Sequence, residues 1–431
     1  MSNSTSPVQI PRLPTELCEL IIDAVNDTMA PSGEIEQYSL RKRTLFSCAL
    51  TCNTWLSRSL YLLYQFVHIG SSERLHVFRK ALKMRPGLAR HVRYLHLGSL
   101  SSPPPNRGRM GVVDSPWINA AALSLFPSLS RLISIAIVGM DFSHTHPRFF
   151  AALSSIKAVR YLSLAQVLFK GSAQFSRIVA AFPSLSHLSI RDIHAWSRLP
   201  QTVIPSGAFK LQARLTTIDL RCHTCDHQLQ AIFDVCSWLC MTPSSSSPID
   251  LKISQSIGHP LSSIEPNSLE DDHAGAVDDL LYQFALLSHN PMLRRLSISV
   301  TLLVHPNLNK DLEYLPNLTF LTIFELTVAF LHELVEAFED LAITLLTGVC
   351  LEFREAISDV NEEAWLSLNS VFQKSTFQYL ENVTISSPEI DNSLTELLSH
   401  LSQREILRLD TAGSQFDSEA PCSWYRTIHV A

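Results

Sequence analysis

The sequence predicts an α/β chain in which a small N-terminal helical unit precedes a solenoid of alternating strands and helices. First, the composition, with 46% hydrophobic and 17% charged residues, indicates a folded chain. Its 431 residues are more than one hydrophobic core usually contains, so more than one domain or a repeat array is expected. Second, roughly the first seventy residues carry apolar side chains at helical spacing. Third, the frame apolar-x-x-apolar-x-apolar recurs along the rest of the chain, with helical patterns between its copies.

Composition and charge argue against several classes of protein. The net charge of −6 and pI near 6.3 predict neither a nucleic-acid partner nor a membrane partner. Only 13 glycines are present, which disfavours glycine-rich phosphate loops. The start, "MSNSTSPVQIPRLP", lacks the apolar run of a secretory signal, and no stretch reaches the roughly 18 apolar residues of a membrane span. With nine scattered cysteines, typical of reduced thiols, this predicts a cytoplasmic or nuclear protein.

The first helix is predicted in "LPTELCELIIDAV", residues 13–25. Pro14, Thr15 and Glu16 favour a helix start. Its apolar side chains cover an arc of about 200°, whereas a surface helix needs an apolar stripe only a little wider than roughly 100°. They are Leu13, Leu17, Cys18, Leu20, Ile21, Ile22, Ala24 and Val25. The surplus predicts that part of the arc serves something other than the chain's own core.

A second helical pattern is predicted in "LFSCALTCNTWLSRSLYLLY", residues 45–64, after a polar loop at about 28–43. Its apolar face contains Leu45, Cys48, Ala49, Cys52, Trp55, Leu56 and Leu63. About fifty residues in two or three helices make a poor independent core. A broad apolar arc on so small a unit is therefore more typical of docking to a partner.

These residues resemble an F-box of the fungal type over about residues 10–69. The opening motif is matched by Leu13, Pro14, Glu16, Leu17 and Ile21, and the second half by Leu50, Cys52 and Trp55. The sequence "LLYQFVHI" is similar to the closing element. Two departures are a middle segment longer by roughly ten residues and Asn53, where the family often has Lys or Arg.

The resemblance implies that the helices bind a Skp-family adaptor and, through it, a cullin–RING ubiquitin ligase. The implied adaptor-binding residues are Leu13, Pro14, Leu17, Ile21, Ile22, Leu50, Cys52 and Trp55. The predicted organisation is a disordered segment at 1–10, the F-box at 11–69, a connecting basic helix at 70–91 and a solenoid at 92–431.

The repeated frame predicts a series of short strands, each with one buried face. Clear copies are at 92–97, 159–164, 185–190, 215–220, 293–298, 318–323 and 380–385, and looser copies at 129–135, 248–253, 346–353 and 404–409. Helical patterns such as "FSRIVAAF" and "FLHELVEAF" lie between them. Strand and helix in alternation predict parallel strands stacked in a solenoid.

The frame resembles leucine-rich repeats of an irregular sort. The Asn that usually closes the strand turn is replaced by Leu100, Val167, Ile193 or Leu326. A doubly wound α/β domain is the alternative, because strand–helix alternation fits both. The absence of a glycine-rich strand-to-helix turn and the half-polar strands favour the solenoid.

In a solenoid, the strand residues that alternate with the buried ones form the surface that commonly binds a target. This frame predicts a substrate-binding set of Tyr161, His187, Arg191, Asp219, Arg221, Phe320 and Phe324. Arg191 and Arg221 are expected on adjacent strands, which suggests an acidic or phosphorylated ligand.

Two further clusters have competing interpretations. Cys222, Cys225, Cys236 and Cys240 could supply zinc ligands. However, Cys236 and Cys240 are one helical turn apart, and such cysteines more often pack in a core, so no metal is predicted.

Residues 74–93 carry seven Lys or Arg residues and no acidic residue, which indicates a solvated basic face or a surface for an acidic partner.

No catalytic motif of the hydrolase, zinc-peptidase, P-loop or kinase kind is present, so neither an enzyme nor a cofactor is predicted. The resemblance instead implies a substrate-recognition subunit of an SCF-type ubiquitin ligase, acting on an unknown protein substrate. The alternatives are a non-ligase repeat scaffold whose N-terminal helices only cap the solenoid, and a zinc enzyme or hydrolase hidden among the cysteines and histidines.

Overall fold

In a computed structural model of the chain, the structure describes residues 14–28, 35–98, 116–143, 145–191, 215–223, 235, 249–256, 293–299, 315, 317–339, 341, 343, 345–357, 362–391 and 393–411. Among these residues, no helix combines the length and apolar character needed to cross a bilayer.

The described residues form a sheet of twelve parallel strands. The strands are β1 (Phe66–Ile69), β2 (Tyr94–Leu97), β3 (Ser134–Val138), β4 (Tyr161–Ala165), β5 (His187–Arg191), β6 (Thr217–His223), β7 (Ile249–Ser256), β8 (Leu293–Ser299), β9 (Phe320–Leu326), β10 (Gly348–Phe353), β11 (Asn382–Ser387) and β12 (Leu407–Thr411). Each strand pairs with its neighbours in chain order. A doubly wound sheet reverses its strand order, so this topology confirms the predicted α/β solenoid.

Helices connect or precede these strands. They are α1 (Thr15–Thr28), α2 (Ile35–Thr51), α3 (Asn53–Gln65), α4 (Ser72–Met84), α5 (Pro116–Leu125), α6 (Pro147–Leu153), α7 (Ser172–Ala180), α8 (Leu331–Glu339), α9 (Glu362–Val371), α10 (Ser393–Leu397) and α11 (Ser399–Gln403). A 3-10 turn at Pro86–Arg90 follows α4.

The main core lies between one face of the sheet and the helices. In β4, Leu162 and Leu164 are buried, while Tyr161 and Ser163 between them are half-buried on the other face. This alternation follows from the two-residue period of a strand. Phe142, Phe149, Phe169 and Phe175 pack together in the same core. The opposite face, which we call the open face, is therefore the one available to a ligand.

Two predicted boundaries in the N-terminal region are corrected. The loop predicted at about 28–43 is shorter, because α2 begins at Ile35. The pattern predicted as one helix over 45–64 is two helices, because Cys52 has an extended backbone with φ −162° and ψ 166°. Cys52 is consequently exposed, and does not share the buried face of Leu45 and Cys48.

The solenoid also begins earlier than predicted. The first strand of the sheet is β1, which lies inside the predicted F-box range, and α3 leads directly into it. Leu75 and Phe78 of α4 pack in the main core with Val67 of β1. The predicted connecting helix at 70–91 is therefore the helix of the first repeat. The resemblance to the closing element of the motif, which includes "FVHI" of β1, is what placed this boundary after the strand.

Candidate functional site in the N-terminal helices and on the open sheet face

The broad apolar arc of α1 is divided into a buried half and an exposed half. Cys18 and Ile22 are buried. Leu17, Leu20 and Ile21 are exposed, with 62% of Leu20 and 42% of Ile21 accessible. At 100° per residue, these three lie on one continuous stripe beside the buried pair. Half of the arc thus stabilises the helical unit, and half faces outward.

The three N-terminal helices have a small core of their own. It consists of Ile22 of α1, Leu45 and Cys48 of α2 and Leu62 of α3, all buried. Trp55, Tyr61 and Leu63 of α3 pack against it. This cluster is distinct from the core under the sheet. A unit with so few buried side chains is only marginally stable on its own. Apolar side chains that it leaves exposed are therefore expected to contact a partner.

Helix α2 adds a second exposed apolar surface. Leu40, Phe46 and Leu50 are exposed, and Leu50 is 71% accessible. Phe46 and Leu50 are one helical turn apart, so both side chains lie on the same side of α2. Together with Leu17, Leu20 and Ile21 of α1, these residues define what we call the apolar docking surface.

The structure divides the predicted adaptor-binding residues into three groups. Pro14, Leu17, Ile21, Leu50 and Cys52 are exposed, and Trp55 is half-buried. Ile22 is fully buried, so its predicted contact with an adaptor is corrected to a core contact. Leu13 lies outside the described residues.

The predicted adaptor-binding set leaves out three exposed apolar side chains of α1 and α2: Leu20, Leu40 and Phe46. Their exposure depends on the true phase of each helix. For Leu40 the missing signal was the start of α2 at Ile35, because residue 40 falls inside the predicted loop. Phe46 lies about 100° from Leu45 around the same helix and so falls outside its buried face.

Polar contacts hold the helical unit together and attach it to the first repeats. Arg58 of α3 donates two hydrogen bonds of 2.7 Å to Asp23 of α1. The Tyr61 ring meets the His91 ring edge-on, with 5.4 Å between centroids. The backbone N–H of Arg93 donates to the carbonyl of Gln65 at 2.9 Å. The apolar docking surface therefore has a defined attachment to the sheet.

On the open face, the strand register aligns several predicted substrate-binding residues. Tyr161 and His187 are paired across β4 and β5, with ring centroids 4.4 Å apart. Arg221 is engaged with Asp219 on its own strand, where the guanidinium donates to both carboxylate oxygens at 2.8–3.1 Å. Burial lowers the pKa of His187, so its ring is neutral near pH 7.

Further along the sheet, cations lie over aromatic rings. The Lys252 ammonium is 4.1 Å from the Phe324 ring centroid, and the Arg295 guanidinium is 5.3 Å from that of Phe320. The Phe320 ring also covers Gly348 of the next strand, where a Cβ atom would collide with it. These contacts fix the orientation of Phe320 before any ligand arrives.

Two of the predicted substrate-binding residues are less accessible than expected. Arg191 does pair in register with Arg221, but its side chain is buried, and so is that of Phe324. Both residues lie on the open face, as the two-residue alternation predicted. Their solvent exposure is low because neighbouring side chains, including the Lys252 ammonium over Phe324, cover them. Tyr161, His187, Asp219, Arg221 and Phe320 remain partly accessible.

Two carboxyl groups in this region are partly desolvated. Burial raises the pKa of Asp250 against the opposing effect of Arg295. Burial also raises the pKa of Glu325 against Arg354, Lys252 and Arg221. Glu325 has a left-handed backbone, with φ 61°, at the irregular pairing between β9 and β10. The open face therefore places charges of both signs beside aromatic rings, an arrangement suited to recognising a polar protein surface.

The cysteines of the zinc alternative lie almost entirely outside the described residues. The described residues themselves contain no group of three or more His, Cys, Asp or Glu side chains that could hold a metal ion. Of the four cysteines, Cys222 lies in β6 without a described side chain, and Cys225, Cys236 and Cys240 lie outside the described residues.

Comparison with known proteins assigns no family. No protein-family model and no curated protein matches the chain. Among solved structures, the chain is similar to one in a crystal structure of a Rad7–Elc1 complex from yeast, with 12% identity, 92% of each chain covered and a TM-score of 0.30. That TM-score is too low to support a conclusion about this chain, and the fold assignment above follows from the strand topology.

Proposed function

We propose that this chain is a substrate-recognition subunit of an SCF-type cullin–RING ubiquitin ligase. Its N-terminal helices dock on a Skp-family adaptor, and the open face of the sheet binds a substrate protein. The chain performs no bond chemistry. It contributes proximity, which raises the effective concentration of substrate lysines near the ubiquitin-loaded enzyme.

The observation that carries this proposal is the divided apolar arc of α1. Leu17, Leu20 and Ile21 are exposed on a helical unit whose own core is already complete with Ile22, Leu45, Cys48 and Leu62. Exposed apolar patches of this kind mark interaction sites. The exposed residues include Leu17, Ile21 and Leu50 of the F-box-like motif, so their chemistry and their place in the motif point to the same partner.

The apolar docking surface is large enough to sustain a stable heterodimer. Burying a Leu, Ile or Phe side chain contributes about 1.5–3 kcal/mol, so four such anchors would provide roughly 6–12 kcal/mol before association costs. The basic charges of α4 and α2 would add electrostatic steering if the adaptor is acidic.

The proposal is tested by co-expression of the chain with a Skp-family adaptor and measurement of their stoichiometry by size exclusion with light scattering. Wild type should form a 1:1 complex. Leu17→Asp with Ile21→Asp should abolish it, because two charges would be buried in the interface. The matched control is Leu366→Asp on α9, an exposed leucine that is 52% accessible and outside the N-terminal helices. Loss of the complex in the control, or its retention in the double variant, would contradict the proposal.

The substrate-binding part of the proposal depends on Tyr161, His187, Asp219, Arg221 and Phe320. Aromatic and arginine side chains are enriched among residues that dominate binding energies. Proteins captured by wild type should be lost with Tyr161→Ala and His187→Ala, while adaptor binding persists. If both variants captured the same proteins as wild type, the assignment of the substrate site to this part of the sheet would be wrong.

The alternative function is a repeat scaffold in which the N-terminal helices only cap the sheet. The contacts from Tyr61 to His91 and from Gln65 to Arg93 favour a capping role. A scaffold predicts that no Skp-family adaptor binds and that Leu17→Asp leaves every interaction of the chain unchanged. The capture experiment distinguishes the two functions directly.

A further inference from the structure

Basic side chains are concentrated in the first repeats of the solenoid, although the whole chain has a net charge of −6. Between residues 74 and 191, the described residues include fourteen Lys or Arg residues and one acidic residue, Asp141. Asp141 follows the C-terminal end of β3, where its carboxylate accepts a hydrogen bond of 2.7 Å from the backbone N–H of Ser143. The negative charge of the chain therefore lies mostly elsewhere in the sequence, and these repeats are strongly cationic.

Five of these cations lie in the turns that lead into three neighbouring strands. The turn before β2 carries Arg90 and Arg93, the turn before β3 carries Arg131, and the turn before β4 carries Lys157 and Arg160. Arg93 is half-buried, and the other four are exposed. All five precede the N-terminal ends of parallel strands, so they lie along one edge of the sheet, which we call the basic edge.

Backbone hydrogen bonds hold the three turns of the basic edge beside one another. The N–H of Ile133 donates to the carbonyl of Arg93, and the N–H of Arg160 donates to the carbonyl of Ile133, both at 2.8 Å. The guanidinium of Arg93 donates across to the carbonyl of Arg131 at 3.4 Å. Direct contacts between the turns therefore bring Arg93, Arg131 and Arg160 together.

None of the five cations is matched by a carboxylate among the residues that the structure describes. The ion pairs found there join Arg58 to Asp23, Arg221 to Asp219, His332 to Glu336 and Lys374 to Glu339. All four pairs lie outside the basic edge. Cations gathered along one edge create a local positive potential, which the net charge of the chain conceals and which attracts an acidic partner.

We propose that the basic edge binds an acidic polypeptide segment in an extended conformation, through the carboxylates of its Asp and Glu side chains. Arginine guanidinium groups match carboxylates with paired hydrogen bonds. The proposal does not rest on the ligase function, although an acidic segment of a substrate protein would be one ligand of this kind.

The spacing of the basic edge fits such a segment. Neighbouring strands lie about 4.8 Å apart, so Arg93 and Arg160, immediately before β2 and β4, are separated by roughly 10 Å. In an extended polyproline-II segment, residues three apart lie on the same side and about 9 Å from each other. Acidic side chains at every third position would therefore meet successive cations of the edge.

A nucleic acid matches the basic edge less well. Single-stranded nucleic acids bind where a basic groove carries aromatic rings on which the bases stack. The ring that follows Arg160, Tyr161, is already packed against His187, with 4.4 Å between centroids. The edge therefore offers arginines for carboxylates more than a platform for bases.

The test is fluorescence anisotropy of a labelled peptide with Glu at every third position among Gly and Ser residues, titrated with the full chain at pH 7. Saturable binding is expected, and it should weaken as salt is added, because exposed charges are screened. The same peptide with Gln in place of Glu should not bind. Arg131→Gln with Arg160→Gln should weaken binding of the Glu peptide by roughly fivefold or more.

The matched control is Arg79→Gln with Arg148→Gln, which also removes two exposed arginines, but from helices α4 and α6. It should leave the peptide affinity nearly unchanged. Both double variants should melt at the temperature of wild type, because all four side chains are exposed.

Adaptor binding separates this proposal from the ligase function. Arg131→Gln with Arg160→Gln should leave binding of the Skp-family adaptor unchanged, because neither residue belongs to the apolar docking surface. Leu17→Asp with Ile21→Asp should in turn leave binding of the Glu peptide unchanged. Failure of the basic edge and failure of adaptor docking are therefore separate results.

Three results would overturn the proposal. One is equal weakening of peptide binding by the control on α4 and α6, which would indicate general charge attraction. Another is equal binding of the Gln peptide. The third is tighter binding of a single-stranded oligonucleotide that is lost in Arg131→Gln with Arg160→Gln, which would make a nucleic acid the ligand of this edge.

Discussion

Arg58 of α3 and Asp23 of α1 form a bidentate ion pair across 35 residues of sequence, with both hydrogen bonds at 2.7 Å. Each side chain is about one third exposed. With this pair formed, Ile22 faces Leu45 and Leu62, and Leu17 and Ile21 face outward. We therefore expect this polar contact between α1 and α3 to help fix the orientation of the apolar docking surface.

This ion pair should contribute modestly to stability. Water screens a partly exposed pair, so a double-mutant cycle with Asp23→Asn and Arg58→Gln should give a coupling energy of about 0.5–1 kcal/mol in urea unfolding. Adaptor affinity should fall in both single variants, because α1 loses its fixed rotation. A coupling energy of zero would mean that packing alone orients α1.

Adjacent isoleucines on α1 should have opposite roles. Ile22→Ala should lower the free energy of unfolding by about 2–4 kcal/mol, because it leaves a cavity in a small core. Ile21→Ala removes an exposed side chain and should change stability by less than about 0.5 kcal/mol, while weakening adaptor binding. Chemical unfolding and titration with the adaptor measure the two effects. Equal destabilisation by both variants would show that Ile21 is a core residue.

Gly98 should be irreplaceable at the end of β2. Its φ is +119°, and a Cβ atom would collide with the backbone carbonyl of Val138. Gly98→Ala should therefore destabilise the chain by about 2 kcal/mol or more, combining backbone strain with a steric clash. Gly87→Ala is the matched control, because a Cβ there meets nothing within 4 Å, and thermal melting should show little change.

His68 of β1 and the buried His96 of β2 meet edge-on, with 5.0 Å between ring centroids, and this histidine pair should make the chain sensitive to acid. In the unfolded chain these histidines take up protons near pH 6.5, whereas the folded state resists protonation until about pH 4 at His68 and about pH 3 at His96. Their contribution is therefore fully present above pH 6.5 and is lost as pH falls toward 3, by at most about 1.4 kcal/mol per pH unit for each residue.

Urea unfolding between pH 7.5 and pH 5 measures this loss. His96→Phe keeps an aromatic ring but removes one titration, so it should make the pH dependence shallower. His332→Gln, at an exposed site on α8, should leave the slope as it is in wild type. A slope unaffected by His96→Phe would falsify the assignment of acid sensitivity to this pair.

Much of the architecture follows from local patterns in the sequence. The period-2 frame around Leu162 and Leu164 predicted both the strands and their buried face, because one shift in register would expose every core residue. The same frame predicted the pairing of Arg191 with Arg221. The wide apolar arc of α1 predicted that some of its side chains would not enter the core.

Tertiary structure decided what the local pattern left open. The extended backbone of Cys52 separates α2 from α3, and packing of the helices buries Leu45 while leaving its neighbour Phe46 exposed. The burial of Arg191 and the ring contact between Lys252 and Phe324 arise from neighbours distant in sequence. The pairing of β1 with β2 makes "FVHI" the first strand of the sheet, whereas the motif resemblance assigned it to the N-terminal unit.

By itself, the sequence determined the class of this chain, the repeated strand frame and the surplus of apolar surface at its N-terminus. Only the tertiary structure decided which half of that surface is buried, where the first repeat begins, and that Arg58 of α3 meets Asp23 of α1. The physical reason is that periodicity reports which side of an element is apolar, whereas exposure and charge clustering depend on contacts between elements far apart in the chain.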